Sequence, residues 1–144
     1  TAKFAGCLNV MKDVKRNKYT QNAKIEADCS TDGKEVYKLK STAGDANWWY
    51  DNRVSYIDAK TFADYRTEYF KGGKHIKTID RSWVSAGLDD PRASYWGYWY
   101  GTTLATGHET MAFIPSSVTK VNHKYKKKNL WSTRTLKKMP KKIK

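Results

Sequence analysis

Three histidines, fourteen acidic side chains and two cysteines are the groups in this 144-residue chain that could carry chemistry. General acid–base work needs two groups of opposed protonation held a few ångströms apart. His75 follows a Gly-Gly turn and His123 sits in a basic run, so the adjoining pair His108 and Glu109, beside Gly107, is the one arrangement with catalytic form. A secreted enzyme acting on a polyanion, nuclease-like or glycan-hydrolase-like, would rely on that pair with Arg92 or Lys120 in support. No His-Glu-x-x-His, Gly-x-Ser-x-Gly or phosphate-cradling glycine loop accompanies it, so His108 and Glu109 read more readily as loop residues. Asp80, Asp89 and Asp90 lack the alternating carboxylates of a 12-residue calcium loop and read as turn caps. No cofactor and no metal are expected.

Cys7 and Cys29 lie 22 positions apart without the neighbouring His or Cys spacing of a zinc site. A disulfide is the better reading, and it suits an exported protein. Two unrelated buried thiols in a cytosolic protein are the alternative. The chain starts at Thr1 with no charged-then-apolar leader, which reads as a mature or trimmed product. No apolar run approaches the roughly 20 residues of a membrane span.

Charge is unevenly placed. Of 28 basic residues, eleven fall from Lys120 onward, where no acidic residue occurs; residues 1–119 keep 17 against 14. Within that block Lys124, Lys126, Lys127, Lys128, Lys137 and Lys138 form the densest runs. Such a segment attracts polyanions with an affinity that weakens as salt rises. Candidate partners are an anionic cell-wall polymer or glycan, a host or cell-surface polyanion and, less favoured, nucleic acid. A solvated basic tail or linker is the plain alternative. Leu130, Trp131, Leu136 and Met139 interrupt the run, so part of it is expected to pack.

Mean hydropathy is −0.84, and six Trp, ten Tyr and four Phe must supply most of the core. In Tyr95-Trp96-Gly97-Tyr98-Trp99-Tyr100, strand alternation puts Tyr95, Gly97 and Trp99 on one face and Trp96, Tyr98 and Tyr100 on the other. A small protein cannot bury both rows. One is expected to stay exposed as a platform for sugar rings or an interface, which makes Trp96, Trp99, Tyr98 and Trp49 the candidate glycan-binding residues.

Strand signals must position these groups. Asp32-Gly33 and Gly72-Gly73 are hairpin dipeptides, followed by the alternating runs 34–39 and 74–79. Trp48-Trp49-Tyr50 and 95–100 read as aromatic strands, 64–70 as a strand entering the second hairpin, and Asp89-Asp90-Pro91 as a break. Leu8, Met11, Val14 and Lys15 have a loose helical spacing, whereas 23–27 alternates. The expected fold is all-β or β-rich, with an irregular or partly helical N-terminal segment. The expected organisation is an N-terminal segment 1–33, a β-rich region 34–120 and a basic C-terminal segment or linker 121–144.

Three stretches share one pattern of small residue, aromatic, β-branched, variable and small residues: 55–62, 82–88 and 112–118. Recurrence of this kind marks a repeated supersecondary unit, and such units usually build binding surfaces. Tyr56-Ile57-Asp58-Ala59-Lys60, Trp83-Val84-Ser85-Ala86-Gly87 and Phe113-Ile114-Pro115-Ser116-Ser117 resemble the closing strand and 3₁₀ turn of bacterial SH3-type modules, particularly the GW-type wall-binding repeats of Gram-positive surface proteins. The composition is similar to that of exported proteins of lactic-acid bacteria. The resemblance implies small SH3-like barrels and a secreted protein held to anionic or glycan components of an envelope. The three aromatics are 27 and 30 positions apart, about half a full barrel, and Ser55, Ser82 and Ala112 replace the family's glycine. Two degenerate barrels or one curled antiparallel sheet built from hairpins would satisfy that spacing.

Overall fold

A computed structural model describes residues 1–12, 24–114, 116, 119–121 and 132–134. Among the described residues nine strands are present: β1 (Ala2–Lys3), β2 (Leu8–Lys12), β3 (Lys24–Asp28), β4 (Glu35–Thr42), β5 (Asn52–Asp58), β6 (Asp64–Lys71), β7 (Lys74–Ser85), β8 (Ser94–Thr103) and β9 (His108–Phe113). Seven form one antiparallel sheet in the order β1-β4-β5-β6-β7-β8-β9, and β2 and β3 form a separate two-stranded unit. The sheet does not close, so the hairpin-built sheet forms and the SH3-like barrel does not.

The recurrence has a simple physical origin in this meander. Strands β5, β7 and β9 run in one direction, and the three patterned stretches begin within them and leave the sheet at the same end. A spacing near 28 residues is the length of one up-and-down strand pair. Tyr56 sits opposite Arg66, Trp83 opposite Trp96 and Phe113 opposite Tyr98. The unit that repeats is therefore a hairpin, half of what a barrel needs.

Several local expectations change. Leu8–Lys12 is a strand, paired with Lys24–Asp28 from Leu8↔Asp28 onward, so the helical spacing of Leu8 and Met11 is incidental; Val14 and Lys15 lie outside the described residues. Asp32-Gly33 does not join neighbouring strands, because β3 pairs with β2 while β4 pairs with β1 and β5. Gly33, at φ 74°, instead supports the turn that carries the chain from the hairpin into the sheet, donating to the Phe4 carbonyl at 2.8 Å. Trp48-Trp49-Tyr50 lies in the loop between β4 and β5, not in a strand. Gly72-Gly73 does form the β6–β7 hairpin turn, and 95–100 and 64–70 are strands.

The core lies where β2 crosses β7 and β8. Phe4, Leu8, Val10, Val36, Tyr98 and Tyr100 are buried together, with Tyr56 and Tyr65 packed edge-on against Phe4 at 5.5 and 6.2 Å. Asp80 is fully buried at the centre of this face. Its carboxylate accepts from Arg66 Nε at 2.6 Å and Nη2 at 2.9 Å, and from the backbone and side-chain nitrogens of Asn9 at 2.8 and 3.0 Å. Arg66 also donates to the Cys7 carbonyl at 2.8 Å. A charge removed from water is tolerable only with such partners, and these tie the hairpin to the sheet. Cys7 and Cys29 are disulfide-bonded, which fastens the base of the same hairpin. In a loop of this size the bond contributes about 3 kcal/mol.

Candidate functional site

Opposite the hairpin, the sheet presents an open face whose residues follow from cross-strand pairing. Arg53 stands opposite Tyr69 and Tyr69 opposite Lys77; Ile79 stands opposite Gly101 and Arg81 opposite Trp99. Trp96 and Trp99 line one shallow cavity of about 200 Å³ together with Ile79 and Arg81. Simple alternation would place Trp96 and Trp99 on opposite faces. The register shifts between Ser82 and Trp83, leaving Gly97 unpaired as an extra residue in β8. That bulge reverses the phase of the strand. It turns Trp96 toward Trp99 and commits Tyr98 and Tyr100 to the core.

Glycine is needed at the bulge. A Cβ on Gly97 would stand 2.7 Å from Val84 Cγ2, a contact that real structures do not sustain. Gly101 has a milder role: a Cβ there would meet Trp99 at 3.2 Å, Ile79 at 3.7 Å and the Lys77 chain at 3.7 Å. Its missing side chain lets the Trp99 ring lie across β8 toward Lys77. The Lys77 ammonium stands 5.8 Å from the Trp49 ring centroid, and Trp49 packs on Tyr50 and Tyr69, each at 4.7 Å. The result is a diagonal stripe of Trp96, Trp99, Lys77 and Trp49, with Arg81 beside its lower half.

Each ring in the stripe is seated yet uncovered. Trp96 and Trp99 are half-buried, while Trp49 is 49% exposed. Arg81 is oriented through Nη1 by Asp64 at 2.9 Å and by the Thr67 hydroxyl at 3.0 Å, and its side chain lines the cavity beside Trp96 and Trp99. Burial pushes the Asp64 carboxyl above the ordinary range, more than Arg81 and Arg53 draw it down. Chemically the stripe offers flat π-faces flanked by cations and contains no paired acid and base.

The sequence candidates separate accordingly. Trp96, Trp99 and Trp49 share the open face. Tyr98 does not join them: it is 8% exposed, in the core, with its hydroxyl 3.4 Å from the Asn9 carbonyl. His108 and Glu109 are successive residues of β9 and so project to opposite faces. Glu109 accepts the Tyr100 hydroxyl at 2.5 Å, and His108 is exposed at the strand's start. His75 stacks on Phe70 at 5.0 Å. Asp80 serves Arg66 and Asn9, while Asp90 holds Arg92 at 2.7 Å and is drawn down to about 2 by it. No group of His, Cys, Asp and Glu suited to a metal occurs among the described residues. Lys124, Lys126, Lys127, Lys128, Lys137 and Lys138 lie outside the described residues. The sequence reading missed Lys77, Ile79 and Arg81, although their two-residue period in β7 was a sufficient signal for a shared face.

No protein-family pattern matches this sequence, and no curated protein matches it. Among solved structures, a Vibrio parahaemolyticus domain provisionally assigned as an outer membrane lipoprotein-sorting protein aligns with a TM-score of 0.47 at 19% identity. The alignment covers 62% of this chain and 40% of that one. At this score the likeness carries no argument about activity or ligand.

Proposed function

We propose that the chain is a non-catalytic, extracellular binding module retained at a cell envelope by anionic polymer or glycan. The observation that carries this reading is the stripe of Trp96, Trp99 and Trp49 with Lys77 and Arg81 on a face nothing else covers among the described residues. Flat indoles accept the apolar faces of sugar rings, and adjacent cations favour sugars or linkages that bear negative charge. The eleven basic residues from Lys120 onward supply a second, less directional attraction to the same kind of polymer. The disulfide suits an oxidising compartment.

The test is titration of the protein against purified wall polymer at rising salt, beside duplex and single-stranded nucleic acid. Affinity for wall polymer should fall with ionic strength and exceed that for nucleic acid at physiological salt. Trp96→Ala with Trp99→Ala should weaken polymer binding at least about tenfold, the scale of losing two ring contacts. Salt-independent binding, or unaltered binding in that variant, would remove the basis of the proposal. The alternative of an enzyme using His108 and Glu109 needs both on one face, and the strand separates them.

A further inference from the structure

A second cavity, of about 290 Å³, lies where the β2–β3 hairpin meets the sheet and shares only Arg81 with the one beside Trp96. Its walls come from β2, the turn after β3, the start of β6 and the β7–β8 hairpin. Thr31 lines it, is 6% exposed, and carries a hydroxyl with no hydrogen-bond partner among the described residues. A buried hydroxyl left unpaired costs stability that an apolar side chain of its size would recover.

The turn around Thr31 is fixed, so the group does not simply swing out to water. Cys29 is bonded to Cys7, and its carbonyl accepts Asp32 N at 3.0 Å. The Thr31 carbonyl accepts Lys34 N at 3.2 Å, Gly33 N donates to the Phe4 carbonyl at 2.8 Å, and the Asp32 carboxylate accepts Gly6 N at 2.8 Å. An unsatisfied hydroxyl held in this way at the wall of a cavity is a place for a ligand's polar group. Binding there would order little that is not already ordered.

The rest of the wall selects the chemistry. Ser30, Thr61, Ser82, Ser85 and Ser94 add further hydroxyl-bearing residues. Ser85 Oγ accepts Gly87 N at 3.1 Å, which leaves its own proton to donate. Tyr65 and Trp83 supply ring surface, because their polar tips are taken: the Tyr65 hydroxyl donates to Asp58, and the Trp83 N–H to the Asp64 carbonyl at 2.9 Å. The charged lining residues are engaged as well. Arg81 is held by Asp64 and Thr67, the Lys34 ammonium stands 5.7 Å from the Tyr65 ring centroid, and Asp28 accepts Ser30 N at 2.9 Å. With its cations occupied and a carboxylate present, the wall favours a neutral ligand. The volume falls just below the roughly 300–1,000 Å³ of sites that enclose drug-sized ligands, so it suits one ring and not a chain. We propose that this cavity binds a single neutral sugar residue, with its ring against Tyr65 and Trp83 and one of its hydroxyls bonded to Thr31. The site agrees with the glycan reading of the stripe but rests on its own lining.

The experiment titrates the full, disulfide-bonded chain with glucose, N-acetylglucosamine, glucuronate and inorganic phosphate, followed by amide and indole NMR shifts. At least one of the two neutral sugars should give saturable shifts at Thr31 and Trp83, with a dissociation constant of about 1–10 mM and tighter binding than either anion. Thr31→Val replaces the hydroxyl by a methyl group of similar size. That variant should unfold at the same or a higher denaturant concentration, yet bind the sugar about tenfold more weakly. Trp96→Ala with Trp99→Ala should leave the monosaccharide shifts at Thr31 unchanged whatever it does to polymer binding, which separates failure of this site from failure of the stripe. Absence of saturable shifts at Thr31 with both neutral sugars, equal affinity or easier unfolding of Thr31→Val, tighter binding of an anion, or loss of the Thr31 shifts in the tryptophan variant would each overturn the assignment.

Discussion

The two faces of the sheet contain similar residue types put to opposite ends. On the hairpin face, Tyr56, Arg66, Asp80 and Tyr100 form a cross-strand row in which the charged groups are paired and the rings lie against the core. On the open face, Tyr69, Lys77, Arg81 and Trp99 occupy equivalent places; Arg81 pairs with Asp64, yet Lys77 meets no carboxylate among the described residues and the indoles reach solvent. Burial without partners is costly, so a satisfied polar row marks structure. A seated aromatic row left uncovered is unexplained by stability and marks a contact surface.

The comparison predicts that damage on the hairpin face costs stability and damage on the open face costs binding. The largest effect should come from Asp80→Ala, which strands Arg66 and two Asn9 donors. A loss of about 3–5 kcal/mol is expected in denaturant unfolding, with polymer affinity of the remaining folded protein unaltered. The double change Arg66→Met with Asp80→Leu should recover most of that loss, because it removes both charges together. A single variant that unfolds no more easily than wild type would break the division between faces.

A smaller effect sharpens the comparison where the faces meet. Gly97→Ala places a methyl group 2.7 Å from Val84 Cγ2 and should cost about 1–3 kcal/mol, with weakened polymer binding because the bulge aims Trp96. Adding Val84→Ala removes the opposing methyl and should restore both stability and binding. Restored stability without restored binding would show that the bulge does not set the stripe.

How much of this was legible in the sequence depended on range. The Gly72-Gly73 hairpin, the β8 strand and the Cys7–Cys29 pairing were readable because local turn chemistry, alternation and spacing determine them. The faces of Trp96 and Tyr98 were not, since one unpaired residue at Gly97 inverts a period of two and depends on Val84 thirteen positions earlier. Leu8–Lys12 was misread because five residues cannot separate strand from helix spacing, and its pairing partner begins beyond an eleven-residue gap. The repeated pattern falls at the ends of alternate strands of one meander, a spacing that fits a hairpin and not a closed barrel.

The subtlest test compares one carboxylate from each face. Burial alone would raise Asp58, on the hairpin side, but hydrogen bonds from the Tyr65 hydroxyl and the Thr61 and Lys60 amides hold its carboxyl below the ordinary value. Asp64, facing Arg81, is held above it. On acidification Asp64 should therefore take its proton above pH 3.8 and Asp58 below it, which carboxyl-resolved NMR titration can follow. The stability consequences have opposite sign. Asp58 contributes fully above its unfolded value and loses that contribution as pH falls through its lower folded value. Asp64 opposes folding in its charged form, so its penalty appears as pH rises through its raised value. Asp58→Asn should accordingly flatten the loss of stability below pH 3.8, whereas Asp64→Asn should alter the slope only above it. If both carboxylates titrated on the same side of 3.8, the two faces would not differ electrostatically as their partners require.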